Sequence, residues 1–300
     1  MTVLNWLMES DPSLRWQVMR DLGDEHADAV AVERARVPEE GWGARLLELQ
    51  GSDGQWGDGP LSPDWTGTTY TMLMLRDMGL EPESAPARRA VGLVRDNVVW
   101  DYAPEPFFSG EVEPCVNGMA MTIGGYFGED VGDIAKRLLG EQLADGGWNC
   151  EAENGSTRSS FHSTICVLEG LLEHERATGG QNAVTEARLR GQDYLMDRAM
   201  FRRQSTGELI EPEWLQFSYP AGWHYDVLRG LDYLRHAGAV PDKRIADAIE
   251  LVASKRDGNG RWLLEKAYPG EIHFDMDEGP GKPSRWNTLR AMRVLRWYHE

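Results

Sequence analysis

Apolar residues recur along this chain at helical spacing, in blocks separated by polar links rich in glycine, proline and serine. Six strongly apolar blocks begin near Asp11, Trp65, Cys115, Phe161, Trp223 and Arg285. They read SLRWQVMRDL, TGTTYTMLMLRDMG, CVNGMAMTIGGYFG, FHSTICVLEGLLEH, WHYDVLRGLDYLRHAG and RWNTLRAMRVLRWY. More polar helical stretches lie between them, at Ala85–Asp96, Asp130–Gln142, Thr185–Met200 and Asp242–Ser254. Helices apolar around most of their circumference belong inside, and amphipathic ones belong on the outside. The alternation predicts about six inner helices and up to six outer ones.

A short motif punctuates this alternation. Gln50 to Trp56 reads QGSDGQW and Gln142 to Trp148 reads QLADGGW, so both fit Q-x-x-D-G-x-W. A looser copy, KRDGNGRW, runs from Lys255 to Trp262 with one extra residue. Asp-Gly is a turn signal, so each motif ends one helix and opens a connection. The tryptophan is then expected to pack against the next hairpin, and the glutamine to cap or bridge backbone groups. Gly124-Gly125, inside a helical pattern, is expected to permit close helix packing. The repeats predict a single all-α domain over residues 1–300, an α/α toroid whose ring closes with the sixth apolar helix. An open α-solenoid is the alternative, but its signatures and polar capping repeats are not visible.

Composition narrows the function classes. A net charge of −18 over 300 residues argues against a nucleic-acid partner, because phosphate backbones require clustered lysine and arginine. No apolar run approaches the ~20 residues needed to span a bilayer. The N-terminal stretch has no basic segment of the signal-peptide kind, so a cytoplasmic protein is expected. Three cysteines, Cys115, Cys150 and Cys166, fit reduced thiols better than a disulfide framework.

The Q-x-x-D-G-x-W copies resemble those of the squalene cyclases and the wider prenyltransferase-repeat superfamily. That resemblance implies an α/α barrel with an aromatic-lined central cavity. The stretch STRSSFHSTICVLEGL, Ser156 to Leu171, is similar to the segment of protein prenyltransferase β subunits that supplies a zinc-binding histidine, here His162. The Asp-x-Cys pair of those subunits corresponds to Glu113-Pro114-Cys115. The resemblance thus implies zinc at Glu113, Cys115 and His162, with a fourth position open. Cys150, just after a repeat motif, makes Cys115/Cys150/His162 a competing set resembling that of the lanthionine synthetase cyclases. Two departures bear on this. Glutamate replaces aspartate, and CEAENGSTR carries only Arg158 where the family is rich in basic residues. The bland alternative for each cysteine and for His162 is an ordinary core or capping role.

Acidic residues recur in the links before the inner helices: Glu111, Glu113, Glu151, Glu153, Glu211, Glu213, Asp275, Asp277 and Glu278. The last cluster, HFDMDEG, weakly resembles the D-x-D-D general-acid motif of class II terpene cyclases, which makes Asp275 and Asp277 candidate acids. Trp65, Tyr70, Phe161, Trp223, Tyr225, Trp286 and Asn287 are expected to face the cavity as substrate contacts. His224 and Asp226, polar at the first turn of an apolar helix, are a candidate acid/base pair. An acidic entrance with aromatic walls suits a cationic ligand or a carbocation.

The resulting expectation is a terpenoid cyclase- or prenyltransferase-like enzyme, a zinc-dependent transferase where the ion is bound, acting on a small or isoprenoid-like molecule. A non-catalytic ligand- or protein-binding toroid and a carboxylate-based glycoside-processing barrel are the alternatives. Nothing in the sequence identifies a protein partner.

Overall fold

The computed structural model describes residues 2–23, 25–102 and 104–300. Among them are thirteen α-helices: α1 (Val3–Met8), α2 (Pro12–Asp21), α3 (Ala27–Arg34), α4 (Gly41–Glu48), α5 (Thr68–Met78), α6 (Ala85–Asn97), α7 (Pro114–Phe127), α8 (Gly132–Glu141), α9 (Phe161–Thr178), α10 (Asn182–Met196), α11 (Val227–His236), α12 (Ala246–Ser254) and α13 (Arg285–His299). The only ladder among the described residues is a two-residue pair, β1 (Trp262–Leu263) with β2 (Pro283–Ser284).

The six apolar blocks correspond to α2, α5, α7, α9, α11 and α13, and these close into a ring. Trp16 and Gln17 of α2 donate to the Met78 and Asp77 carbonyls at the end of α5, at 2.8 and 3.0 Å. Helix α5 packs on α7, α7 on α9, and α11 on α13. Arg229 of α11 pairs with Glu169 of α9 at 2.8 Å, and Arg293 of α13 donates to Gln17 of α2 at 3.0 Å, completing the circuit. The protein is an α/α toroid, with α4, α6, α8, α10 and α12 outside the ring.

Close approach of α7 and α9 depends on missing side chains. A Cβ on Gly118 would sit 2.5 Å from the Cys166 carbonyl, and one on Gly170 would sit 2.6 Å from the Gly118 oxygen. Gly125 lies equally tight against the Glu173–His174 backbone, with 2.9 Å to either.

The three motifs are one device used three times. The indole N–H of Trp56, Trp148 and Trp262 donates to the carbonyls of Leu46, Leu138 and Val252, at 2.6, 2.7 and 2.7 Å. Each acceptor lies in the last turn of an outer helix, where carbonyls lack i+4 partners; Leu46 and Val252 take a further bond from the cap N–H of Leu49 and Lys255. The same tryptophans' backbone N–H groups donate to Thr68, Thr164 and Thr288, at 3.1, 3.0 and 3.0 Å, in the first turns of α5, α9 and α13. Each tryptophan therefore ties the end of an outer helix to the start of the next inner one. Gln50 and Gln142 bridge the turn to the following outer helix through the Ala90 and Ala187 carbonyls, at 2.9 and 2.8 Å.

The third copy corrects the sequence alignment. Its turn bonds, Asp257 N–H to Arg261 and Gly260 N–H to Asp257, match those of Gly51 to Gln55 and Gly54 to Gly51. Arg256 therefore occupies the glutamine position, Asn259-Gly260 stands for Asp-Gly, and no residue is extra. Gly54, Gly146 and Gly260 all have φ between 80° and 100°, which is why glycine holds that place.

Candidate functional site

The inner helices enclose a cavity of about 290 Å³. That is the low end for small-molecule sites and room for about ten waters. Trp65, Tyr70 and Trp286 line it as expected. Other expected wall residues are engaged elsewhere. Phe161 packs against Tyr194, Trp214 and Tyr225. The Tyr225 hydroxyl donates to the Met200 carbonyl at 2.7 Å, and the Asn287 amide donates to the Phe217 and Leu263 carbonyls.

The cavity wall departs from the acidic, cation-attracting picture. Eight arginines and four carboxylates line it. Glu169 holds Arg229 through two bonds, of 2.9 and 2.8 Å. Glu173 contacts Arg76 at 2.5 Å and Arg176 at 3.5 Å. Asp232 serves three guanidinium groups: Arg293 at 2.5 Å, Arg235 at 2.9 Å and Arg290 at 3.7 Å. Asp77 pairs with Arg76 at 2.8 Å. From behind the wall, Asp21 reaches Arg20 and Arg293, and Glu81 reaches Arg34. The carboxylates remain fewer than the arginines. Despite burial, the His236 hydrogen bond and Arg76 hold Glu173 down at about 2, and Arg229 holds Glu169 below its ordinary value. These acids are ionised at neutral pH.

The first turn of α7 with its cap residue and the 3-10 turn after the second motif converge. Glu113, Cys115 and Cys150 bring a carboxylate oxygen and two sulfurs within 4.8 Å of one another. The Cys115 thiol donates to Glu113 at 3.4 Å, and its sulfur lies 3.0 Å from Cys150 Sγ. Ser163, in the first turn of α9, sits 3.3 Å from Cys150 Sγ. The Cys150 contact and burial push the Cys115 thiol far up, whereas the Cys115 and Ser163 contacts draw Cys150 down against its burial. Cys166 is fully buried in α9, and burial raises it to about 12, as expected for a core thiol.

This donor set fits a zinc-class ion. Two thiolates on one tetrahedral zinc lie about 3.8 Å apart, given Zn–S bonds of ~2.3 Å. The sulfurs need to open by less than about 1 Å, within the reach of side-chain rotation.

His162 is not brought into this group. Neighbouring helix positions point about 100° apart, so Ser163 turns toward Cys150 while His162 turns toward the link that precedes α11. Its Nδ1 accepts the Tyr225 backbone N–H at 2.8 Å, which leaves the proton on Nε2. Burial lowers both His162 and His224 to about 4, so both rings are neutral at pH 7. His224 lies between Trp223 and Tyr268, with ring centroids 3.8 and 3.5 Å away, and its buried Nδ1 has no partner among the described residues.

The expected first helical turn at Trp223–Asp226 is instead part of the preceding link, because α11 begins at Val227. Asp226 is the helix cap. Its oxygens accept from the Arg229 and Ser218 backbone N–H groups and the Ser218 hydroxyl, at 2.8, 3.2 and 3.0 Å. Asp277 similarly accepts from the Ser284 hydroxyl at 2.6 Å and the Arg285 N–H at 3.1 Å at the start of α13. Burial nevertheless raises its carboxyl, whereas Asp275 is exposed.

The wall arginines, with Tyr219 and Tyr268, escaped sequence reasoning. A signal did exist: Trp286, Arg290 and Arg293 stand four and three residues apart, on one face of α13.

No family model matches the chain, and no curated protein matches it. Among solved structures, the chain is similar to a ligand-free variant of a type II terpene cyclase from Scytonema. The two share 16% identity and a TM-score of 0.45, over 95% of this chain and 84% of that one.

Proposed function

We propose that this chain is a terpenoid cyclase- or prenyltransferase-like enzyme that acts on a small molecule in the central cavity of the ring, with a zinc-class ion held by Glu113, Cys115 and Cys150. The convergence of these three donors from two separate connections carries the reading. Burial raises the hydroxyl of Tyr70, a wall residue of the cavity, and the nearby Cys166, Cys115 and Glu113 add to that rise, which supports a cluster close to the chamber. When bound, the ion would supply Lewis acidity and lower the pKa of a coordinated nucleophile.

The remaining roles belong to the protein's own side chains. Trp65, Tyr70 and Trp286 shape the chamber and offer aromatic faces. His224, neutral and stacked, is a proton acceptor of low basicity, and Asp226 positions it by capping the helix that follows. Asp277, raised by burial, is the acid candidate at the ring's other connection. A glycoside-processing mechanism is disfavoured. It requires one carboxyl of raised pKa beside an ionised one, and the cavity acids are paired with arginine.

Zinc content of protein purified without chelator tests the metal. The expected result is near-stoichiometric zinc, lost in Cys115→Ser and Cys150→Ser and kept in Cys166→Ala. Folded, metal-free protein would refute the reading. His162→Ala discriminates between ligand sets, since loss of metal there would move the ion to the competing set.

A further inference from the structure

We infer that the arginine-lined part of the cavity binds an anionic oxygen group, a carboxylate or phosphate, on Tyr219 Oη, Trp286 Nε1 and Arg290. The inference treats the cavity as a ligand chamber, as above, but does not depend on the metal.

Three observations carry it. Tyr219 and Trp286 both line the cavity, and their polar atoms are buried without a hydrogen-bond partner among the described residues. Trp286 is only 2% exposed, and an indole N–H can only donate. A buried donor without a partner costs about 1–3 kcal/mol, so two in one chamber call for an acceptor. The rings stack at 4.4 Å and 17°, which fixes them side by side.

Arg290 stands one turn along α13 from Trp286, on the same face. Its bonds go to the Ser218 carbonyl at 3.0 Å and Asn287 Oδ1 at 3.3 Å, both from Nη1, while Asp232 stays 3.7 Å from Nε. Asp232 is drawn to Arg293 and Arg235 instead. The guanidinium lies over the Tyr219 ring at 5.9 Å, and its Nη2 hydrogens donate to no partner among the described residues.

The opposing charges have been assigned. Asp77, Glu169, Glu173 and Asp232 share the wall, and each is committed to a guanidinium. Asp77 and Asp277 also act on Tyr219, against Arg290 and Arg293. An anion seated on three donors beside an arginine excess is favoured. A cation would meet two donor-only groups, the Trp286 indole and the Arg290 guanidinium, at this place.

Calorimetric titration of the full chain with inorganic phosphate, pyrophosphate and hexanoate tests this, with hexanol as the uncharged control. At least one anion should bind and hexanol should not, and the preferred anion distinguishes phosphate from carboxylate ligands. Tyr219→Phe and Trp286→Phe should each weaken binding about tenfold; Tyr219→Phe should do so without lowering the thermal midpoint, because its hydroxyl bonds to nothing in the protein, whereas Trp286→Phe also loses ring packing in the core. Arg290→Gln should abolish binding. Absence of binding by the folded full chain, or unchanged binding in both phenylalanine variants, overturns the inference. So does binding that is lost in Cys115→Ser but kept in Tyr219→Phe, which would put the anion on the metal. Zinc-free protein that still binds the anion would refute the metal reading and leave this one standing.

Discussion

Replacing Trp148 by phenylalanine tests whether the repeated motif couples the outer to the inner ring. The side chain is fully buried, so two losses add. Removing the indole N–H strands the Leu138 carbonyl at the end of α8, a buried acceptor worth about 1–3 kcal/mol. Shrinking the ring leaves a void and lost contacts worth about 2 kcal/mol. The sum is about 3–5 kcal/mol. For a chain of this length the unfolding entropy is about 0.6 kcal/mol/K, so the midpoint should fall by about 5–8 °C in a thermal melt. Trp262→Phe should lower it less, by about 3 °C from lost packing, because the Val252 carbonyl keeps the Lys255 N–H when the indole bond goes. Trp223→Phe is the control, since that ring is 37% exposed and caps nothing. A shift below about 2 °C in both motif variants would mean that the motif is not a structural tie.

Further measurements probe the packing and the electrostatics. Gly118→Ala should destabilise by about 1–3 kcal/mol or more in chemical denaturation, because its Cβ meets backbone of α9 and not a side chain that could yield. Unchanged stability would show that α7 and α9 can separate freely. Glu173, held at about 2 by His236 and Arg76 despite burial, stabilises the fold above its ordinary value of 4.5. That stability is lost as pH falls from there toward 2, so Glu173→Gln should flatten the acid limb of a stability profile over that window. The His162 and His224 rings, lowered to about 4 by burial, should show no NMR titration near pH 6.5. The unfolded chain takes up those protons first, so both residues make stability fall as pH drops from 6.5 to 4. A midpoint near 6.5 for either ring would mean that it is solvated.

The ring itself was legible because its evidence is periodic. Each apolar block became an inner helix, and the polar stretch Ala85–Asp96 became α6 almost residue for residue. Backbone amides must be paired, and an apolar stripe must be covered, so local pattern and global closure demand the same helices. Short connectors lack that redundancy. The polar run around Trp223–Asp226 reads as helix by composition, yet Asp226 competes for the backbone as a cap and shifts the start to Val227.

The cavity's charge was illegible for a different reason. Net charge counts all residues equally, whereas the cavity samples one face of each inner helix. Most of the chain's acids lie on outer helices and links, and arginines such as Arg229, Arg290 and Arg293 sit inside otherwise apolar blocks. An arginine there reads as an interruption of the pattern, although its long stem covers apolar surface while its head reaches inward. Several of them also fall toward the C-terminal ends of the inner helices, where Arg20, Arg76, Arg176 and Arg235 complement the helix dipoles. That role accounts for those four but not for Arg290, which lies in the second turn of α13 near the positive end of the dipole. A buried cation placed against its own helix's field, held by the Ser218 carbonyl, Asn287 Oδ1 and a distant share of Asp232, is retained at a cost in stability. Arg290→Met removes that cost but strands those two acceptors, so it should leave the melting temperature of the ligand-free protein nearly unchanged even as it abolishes anion binding. A variant that binds no anion and is also less stable would mark Arg290 as a structural residue.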